Sequence, residues 1–481
     1  MPVTLETSKA EKTGWHLPPG LKHSLPFYAN KPWVKLGSPI LLFEHLLRTY
    51  GNVACYKFMG TWIVFINDPD FIREVLVTQG ASFVKERTVK RMKILLGEGL
   101  ITSEEPFHMR QRRIAAPAFH RQRIAAYGEQ IVDSAVQASN RLTANEPIDI
   151  AAASMELSLE IVARTLFDTN VDADIRRIND EVNTIMDLYN FIVAFPMIEK
   201  FLHLPIPGIM KFRRSKARLD AVVNRLVHEH REAMAKAEAA GIEADRGDLL
   251  SMLLSSRDEL LDEDGQPTGQ FVSMSDPQVR DEVLTIFLAG YETVANGLTW
   301  TWYLLSQNPE VEARLHAELD AVLGTGDNRR LPTLADYSSL KYTEQVFAES
   351  MRLYPPAWAM GRMSTRPVTL GPYRIPPGAH FFFSQYILGR TEEFFPDPLT
   401  FDPDRFTPEA KAARHKYTYF PFGGGSRQCI GESFAWMEGI FSIATLAHRW
   451  RFVYAGHAEP EVQAKITLRP KLPLIMRPVP R

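Results

Sequence analysis

Ten residues, Phe422-Gly423-Gly424-Gly425-Ser426-Arg427-Gln428-Cys429-Ile430-Gly431, combine one cysteine, an arginine two positions before it and four glycines. Glu432 to Ala447 follows with the apolar spacing of a helix, so Cys429 stands where a glycine-rich loop turns into a helix N-terminus. Converging backbone N–H groups and the helix dipole favour negative charge there, and can lower a cysteine pKa from ~8.5 by one or more units. The glycines permit positive φ and withhold side chains, so a flat ligand can lie against the backbone. Arg427 adds a cation for an anionic group of that ligand. A glycine-rich turn with a buried cysteine as core filler is the competing reading. Five residues at fixed offsets, Phe-x-x-Gly-x-Arg-x-Cys-x-Gly, count against it.

A second group is Ala289-Gly290-Tyr291-Glu292-Thr293, in a long stretch where Glu292 is the only charge between Glu282 and Glu310. The small pair lets a planar cofactor approach the backbone, and an acid and an alcohol beside it handle protons. A tight helix crossing with Thr293 bonded back to its own helix explains the same residues equally well. His108 and Arg112, four apart, share a helix face and could serve two carboxylates, or form a solvated basic face with Arg110, Arg113, Arg121 and Arg123. Glu349 and Arg352 pair readily on any helix, which makes Glu-x-x-Arg weak by itself.

The elements that must position these groups are legible in outline. Ile40 to Tyr50 reads as a helix; Val53 to Phe58 and Thr61 to Ile66 alternate around Met59-Gly60 as a hairpin. Asp68-Pro69 is an N-cap and a first helical proline. Cys55, in the first of those strands, reads as core packing. Ser275-Asp276-Pro277-Gln278 opens the long apolar helix with a capping box. Polar residues inside that helix and the absence of basic flanks make it a central buried helix, not a membrane span. Leu334 to Tyr354 reads as one helix, Val368 to Ile375 as a strand ended by Pro376-Pro377-Gly378, and Asp258 to Ser273 as an irregular exposed loop. Residues 1–30 form an irregular strip.

The 481 residues are 45% hydrophobic and 23% charged, enough for a large core, and a net charge of −2 argues against nucleic acid as a partner. Two cysteines exclude a disulfide framework and suit a reducing cytoplasm. The N-terminal strip has no apolar run able to cross a bilayer.

The cysteine loop resembles the haem-ligand signature of the cytochromes P-450. Ala289–Thr293, Glu349-x-x-Arg352 and Phe401-Asp402-Pro403-Asp404-Arg405-Phe406 resemble further motifs of that family, in the family's order and approximate spacing, so the resemblance covers nearly the whole chain. It implies a mainly α fold with a small β-sheet subdomain, a triangular-prism helical bundle enclosing haem b. Residues 31–481 would be a single haem-binding monooxygenase domain, β-rich near 53–66 and 368–390. It implies Cys429 as the axial iron ligand, and Phe422, Arg427, Gly431, Ala289, Gly290, His108, Arg112 and Arg362 as cofactor contacts. Of these, His108 stands where the family more often has tryptophan. Thr293 and Glu292 take the oxygen-activating and proton-relaying roles, with Val294 where a second threonine is frequent. Glu349, Arg352 and Arg405 interlock to fix the meander carrying the cysteine loop. Phe191 to Phe212 matches the lid over the substrate, a superficial membrane contact being the competing reading. Pro356 to Met360 borders the substrate.

The function implied is hydroxylation of a hydrophobic small molecule, such as a fatty acid, terpenoid or steroid, by a soluble, bacterial-type, monomeric enzyme. The 52 residues after Cys429 leave no room for a fused redox module. O2 is therefore reduced with electrons from a separate ferredoxin or flavodoxin and its reductase. A peroxide-driven peroxygenase and a non-catalytic haem-thiolate sensor are the alternatives; the intact Glu292-Thr293 pair counts against the first.

Overall fold

Met59 and Gly60 both have positive φ, 47° and 82°, the backbone of a two-residue hairpin turn whose twist matches that of its strands. They fold β2 (Val53–Phe58) back onto β3 (Thr61–Ile66), preceded in the chain by β1 (Gly20–Ser24) and followed by β4 (Phe83–Lys85), β5 (Met360–Ser364) and β6 (His380–Phe383). The computed structural model describes residues 14–29, 31–34, 39–167, 181, 184–185, 203–241, 248–261 and 266–481. The helices that matter for the site are α1 (Pro39–Tyr50), α2 (Phe107–Ala115), α3 (Arg121–Arg141), α4 (Ile150–Phe167) and α5 (Pro207–Ala239). They continue with α6 (Leu249–Ser255), α7 (Asp276–Gln307), α8 (Lys341–Leu353) and α9 (Glu432–Ala447).

The chain forms two compact units. The first gathers Met1–Arg87, Gln345–Cys429 and Glu459–Leu472 around a six-stranded sheet of order β1-β2-β3-β6-β5-β4. β6 runs parallel to β3, with Phe381 opposite Val64, and antiparallel to β5, with Phe381 opposite Arg362. Val64, Phe83, Phe381, Phe383, Tyr417 and Phe420 belong to one buried cluster, so the sheet and the approach to the cysteine loop share a core.

The second unit holds Thr88–Glu344, Ile430–Ala458 and Pro473–Arg481 and is helical. α7 packs on α4, α5 and α9, and α9 packs on α3. The capping box is formed: Gln278 Oε1 accepts the Ser275 N–H at 2.8 Å. Among the described residues, no helix is long and apolar enough to cross a membrane.

Several expectations need correction. Gly20–Ser24 is not irregular: it is β1, paired parallel to β2, and a Cβ on Gly20 would fall 1.6 Å from the Cys55 carbonyl oxygen, so only glycine permits this approach. The Asp258–Ser273 stretch is mostly a two-stranded hairpin, Arg257–Leu261 against Pro267–Ser273; the pairing of Asp258 with Val272 and Glu259 with Phe271 outweighs the acidic composition. Leu334–Tyr354 is split, because Thr333 and Asp336 cap a short 3-10 turn (Leu334–Ser339) and Arg330 pairs with Asp336 at 2.6 Å; α8 starts only at Lys341. Val368–Ile375 is not one strand but two short ones, Val368–Leu370 and Tyr373–Ile375, folded on each other at Gly371, whose φ is +52°. Of the suggested lid, residues 191–202 lie outside the described residues, and Pro207–Phe212 is the first part of α5, with Pro207 in the helix's opening turn.

Candidate active site

In the first unit, Cys429 closes its own loop. Its N–H donates to Phe422 O at 2.9 Å, the Gly423 N–H donates to Phe420 O at 2.9 Å, and the Gln428 N–H donates to Gly425 O at 3.1 Å. Gly423 and Gly425 have φ of +74° and +73°, which other residues adopt only with strain. A Cβ on Gly425 would lie 2.0 Å from Leu76 O, and one on Gly424 2.9 Å from a Tyr417 ring carbon. The bare backbone is thus demanded by the loop's own surroundings, a reason the sequence did not disclose. Phe422 and Arg427 are half-buried and Cys429 is exposed; Gly431 is the N-cap of α9.

The other cysteine is unsuited to a thiolate role. Cys55 is buried, its thiol donates to Pro18 O at 3.0 Å, and burial pushes its pKa up to about 12. Core packing is its place.

Arg352 forks onto Glu349 through Nε and Nη2, both at 2.6 Å, with both side chains fully buried. Its Nη1 also donates to Pro398 O at 2.7 Å and to Gly389 O, and Nη2 donates to Thr400 O at 3.1 Å. Glu349 Oε1 accepts the Asp402 N–H at 3.0 Å and lies 3.5 Å from Arg405 Nε. These three residues come together as expected and tie α8 to the 389–405 segment. Arg362 sits half-buried on β5, donating to Gly361 O at 2.8 Å.

Within the 356–360 segment, Trp358 has protein partners of its own. Trp358 is buried, its indole N–H donates to Lys465 O at 2.8 Å, and its ring lies 6.2 Å from that of Phe43. Ala357, Ala359 and Met360 around it remain half-buried.

In the second unit, every residue of α7 from Glu282 to Leu305 is buried except Ala289, Gly290 and Thr293. A helix enclosed all round thus opens along one short strip of small residues, the shape against which a flat cofactor fits. Thr293 Oγ1 donates to Ala289 O at 2.8 Å, so the hydroxyl is bonded back to its helix as one of the two sequence readings required. Gly290 has a packing reason of its own: a Cβ there would come 3.2 Å from Val162 Cγ2 on α4. Glu292 is buried. On α2, His108 is buried and its Nδ1 lies 2.8 Å from Glu105 Oε1, while Arg112, one turn on, is half-buried. Glu105 also accepts the Met109 N–H at 3.1 Å, so it orients the His108 ring and caps the helix start together.

The residues fit haem chemically: a cysteine in a backbone cradle, a strip of small residues on a buried helix, and cations for two propionates. Sequence reasoning overlooked Glu438. It is fully buried on α9, accepts a hydrogen bond from the Ser158 hydroxyl of α4, and burial pushes its carboxyl up to about 8. The signal was the one that singled out Glu292, a lone charge in an apolar helical run.

A family model for cytochrome P450 matches residues 18–477. The chain is 37% identical to the cyclooctatin synthase of Streptomyces melanosporofaciens, over 86% of this chain and 85% of the relative. It is 34% identical to the cyclooctat-9-en-7-ol 5-monooxygenase of the same organism, over 91% and 85%. With the pentalenene oxygenase of Streptomyces avermitilis it shares 31% identity over 91% and 92%. Its backbone matches the crystal structure of a cytochrome P450DA haem domain with a TM-score of 0.81 at 23% identity, covering 97% and 98% of the two chains.

Proposed function

This chain belongs to the cytochrome P450 family, and from that premise we propose that Cys429 would hold its haem through the thiolate and that a cyclic terpenoid is its substrate. The protein is a haem-dependent monooxygenase that hydroxylates a hydrophobic small molecule. Haem b, when bound through the cysteine thiolate, supplies the activation of O2 and the transfer of one oxygen atom to carbon.

The chain's own residues do the rest. Cys429 is held in a loop whose Gly424 and Gly425 leave no room for a side chain, its backbone N–H donated to Phe422 O. Arg427, Arg362, His108 and Arg112 would hold the two propionates, and Phe422 and Gly431 would be further cofactor contacts. Ala289 and Gly290, half-buried on an otherwise buried helix, would accommodate the cofactor. The Thr293 hydroxyl donates to Ala289 O; turning from it, the same Oγ1–H would be available as a proton donor, and the buried Glu292 carboxyl would be the proton relay beside it. Residues 31–481 act as one haem-binding domain in this reading, with a separate ferredoxin or flavodoxin as electron donor in the cytoplasm. The exposed Arg113 and half-buried Arg110 of α2 support an acidic donor surface.

The observation that carries the substrate class is the 34% identity, across 91% of the chain, to an enzyme named for 5-monooxygenation of cyclooctat-9-en-7-ol. An optical titration of the ferric protein tests it. Cyclic terpene alcohols should give a saturable low-to-high-spin shift and straight-chain fatty acids none; the reverse pattern overturns the substrate class. Thr293→Ala should consume reducing equivalents while losing about 10–100-fold in coupled product. Fully coupled turnover by that variant removes the proton-handling role.

A further inference from the structure

The buried lock between Glu349 and Arg352 carries more positive charge than its one carboxylate answers. Arg352 takes both Glu349 oxygens at 2.6 Å, and the Asp402 N–H also donates to Oε1 at 3.0 Å. Arg405 is left over. Its Nε is buried without a hydrogen-bond partner, 3.5 Å from Glu349 Oε1 and 3.9 Å from Asp402 Oδ2, while its Nη2 donates to Asp397 O at 3.1 Å. Arg414 adds a third guanidinium. It lies 4.6 Å from the ring centre of Phe406 and 5.1 Å from that of Phe395, and its Nη2 donates to Arg405 O at 2.7 Å. Burial lowers the Arg414 pKa, and the charges of Arg352 and Arg405 add to that shift. Among the described residues, Arg405 Nη1 and Arg414 Nε and Nη1 have no protein acceptor.

Arg405 and Arg414 both line a cavity of about 450 Å³, a volume within the ~300–1,000 Å³ usual for small-molecule sites. Phe394, Phe395 and the Ala410 and Ala413 residues of the short helix Pro408–Ala413 give it apolar walls, and His415 and Thr418 complete the lining. Ala413 and His415 are exposed, so the cavity is reached from solvent. Glu393, the one carboxylate in the lining, is held by Asn52 Nδ2 at 3.0 Å. The His415 ring is answered by Asp70, 3.4 Å from its Nε2 and not part of the lining. Two guanidiniums against one carboxylate leave a single net positive charge. A monoanion with an apolar body fits that balance. A planar carboxylate matches the guanidinium fork, and phenyl rings and methyl groups favour a hydrocarbon body over the strongly hydrated surface of phosphate.

We propose that this cavity is a binding site for a small aromatic carboxylate, its carboxylate received by Arg405 and Arg414 and its ring lying against Phe394, Ala410 and Ala413. The site is independent of the terpenoid reading, since none of its residues is assigned to haem or substrate. Because Arg405 adjoins Glu349, an occupant also answers the surplus charge beside the lock. Benzoate is the probe, titrated calorimetrically into the haem-loaded full chain, with benzyl alcohol as its neutral counterpart and inorganic phosphate as the bare anion. Benzoate should bind saturably and raise the thermal unfolding midpoint. Benzyl alcohol and phosphate should each bind at least about tenfold more weakly. Arg414→Gln should weaken benzoate about tenfold or more. Ala413→Glu, at an exposed position, adds a competing carboxylate to the lining and should abolish the binding. Both variants should keep the wild-type optical response to terpene alcohols, which separates this site from the substrate's. Absence of saturable benzoate binding to the wild-type chain overturns the site, and so does binding that survives both variants. Phosphate or benzyl alcohol binding as tightly as benzoate overturns the ligand class. If Arg414→Gln does not fold, Ala413→Glu decides the matter.

Discussion

Two carboxylic acids on apolar helices show how much a residue's neighbours decide. Glu292 and Glu438 are both buried, yet only Glu292 borders the opening of α7. Glu438 is enclosed between α9 and α4, with Ser158 donating to it. Burial raises its pKa from 4.5 to about 8, so the folded protein holds a proton that the unfolded chain releases above about pH 4.5. The stabilisation associated with that proton is complete below the unfolded value and is lost as pH rises through about 8. Wild-type stability should therefore decline by about 3–5 kcal/mol between pH 5 and 8 from this group. Glu438→Gln should flatten that slope in denaturant unfolding followed across the range; an unaltered slope would show that Glu438 is ionised in the folded state. Its position was readable as a lone charge in an apolar run, but whether such a charge meets an opening or a wall is set by helices distant in sequence.

At the scale of elements, the cysteine loop and α7 are each shaped by a neighbour that pattern reading does not supply. The glycine loop was legible as glycine-rich, and a flat ligand was the reason first offered for it. Leu76 O and the Tyr417 ring give an independent reason, since a side chain at Gly425 or Gly424 would collide with the protein itself. Gly425→Ala should misplace the loop, weakening haem retention while leaving the far-UV spectrum of the helices intact; normal haem content in that variant would remove this role. Gly290→Ala tests the same idea on α7. With Val162 Cγ2 3.2 Å from the added methyl, overpacking should cost about 1–3 kcal/mol in thermal or denaturant unfolding. A neutral result would mean that α4 yields without cost. Elements closed by their own local chemistry, such as the Met59-Gly60 hairpin and the Ser275–Gln278 capping box, came out as read. Those that depend on pairing partners, β1 and the 257–273 hairpin, did not.

Over the whole molecule, one buried lock draws separate stretches of chain into a unit. Glu349 and Arg352 are fully enclosed, and Arg352 gathers the carbonyls of Gly389, Pro398 and Thr400 while Glu349 takes the Asp402 N–H. Removing one partner leaves the other charge buried without compensation, so Glu349→Gln should cost about 3–5 kcal/mol and lower the unfolding midpoint, with haem lost in step. A shift below about 1 kcal/mol would mean that water or a neighbouring group replaces the carboxylate. The sequence by itself determined the family, the haem cofactor and the reaction class, because these follow from short motifs whose members are close in the chain. Tertiary structure alone decided that Trp358 packs against Phe43, that Glu438 is held in a closed interior, and that Glu282 reaches the Leu100 backbone. Each of those outcomes depends on which surfaces meet across long sequence separations, and burial, not residue type, then sets what a side chain does.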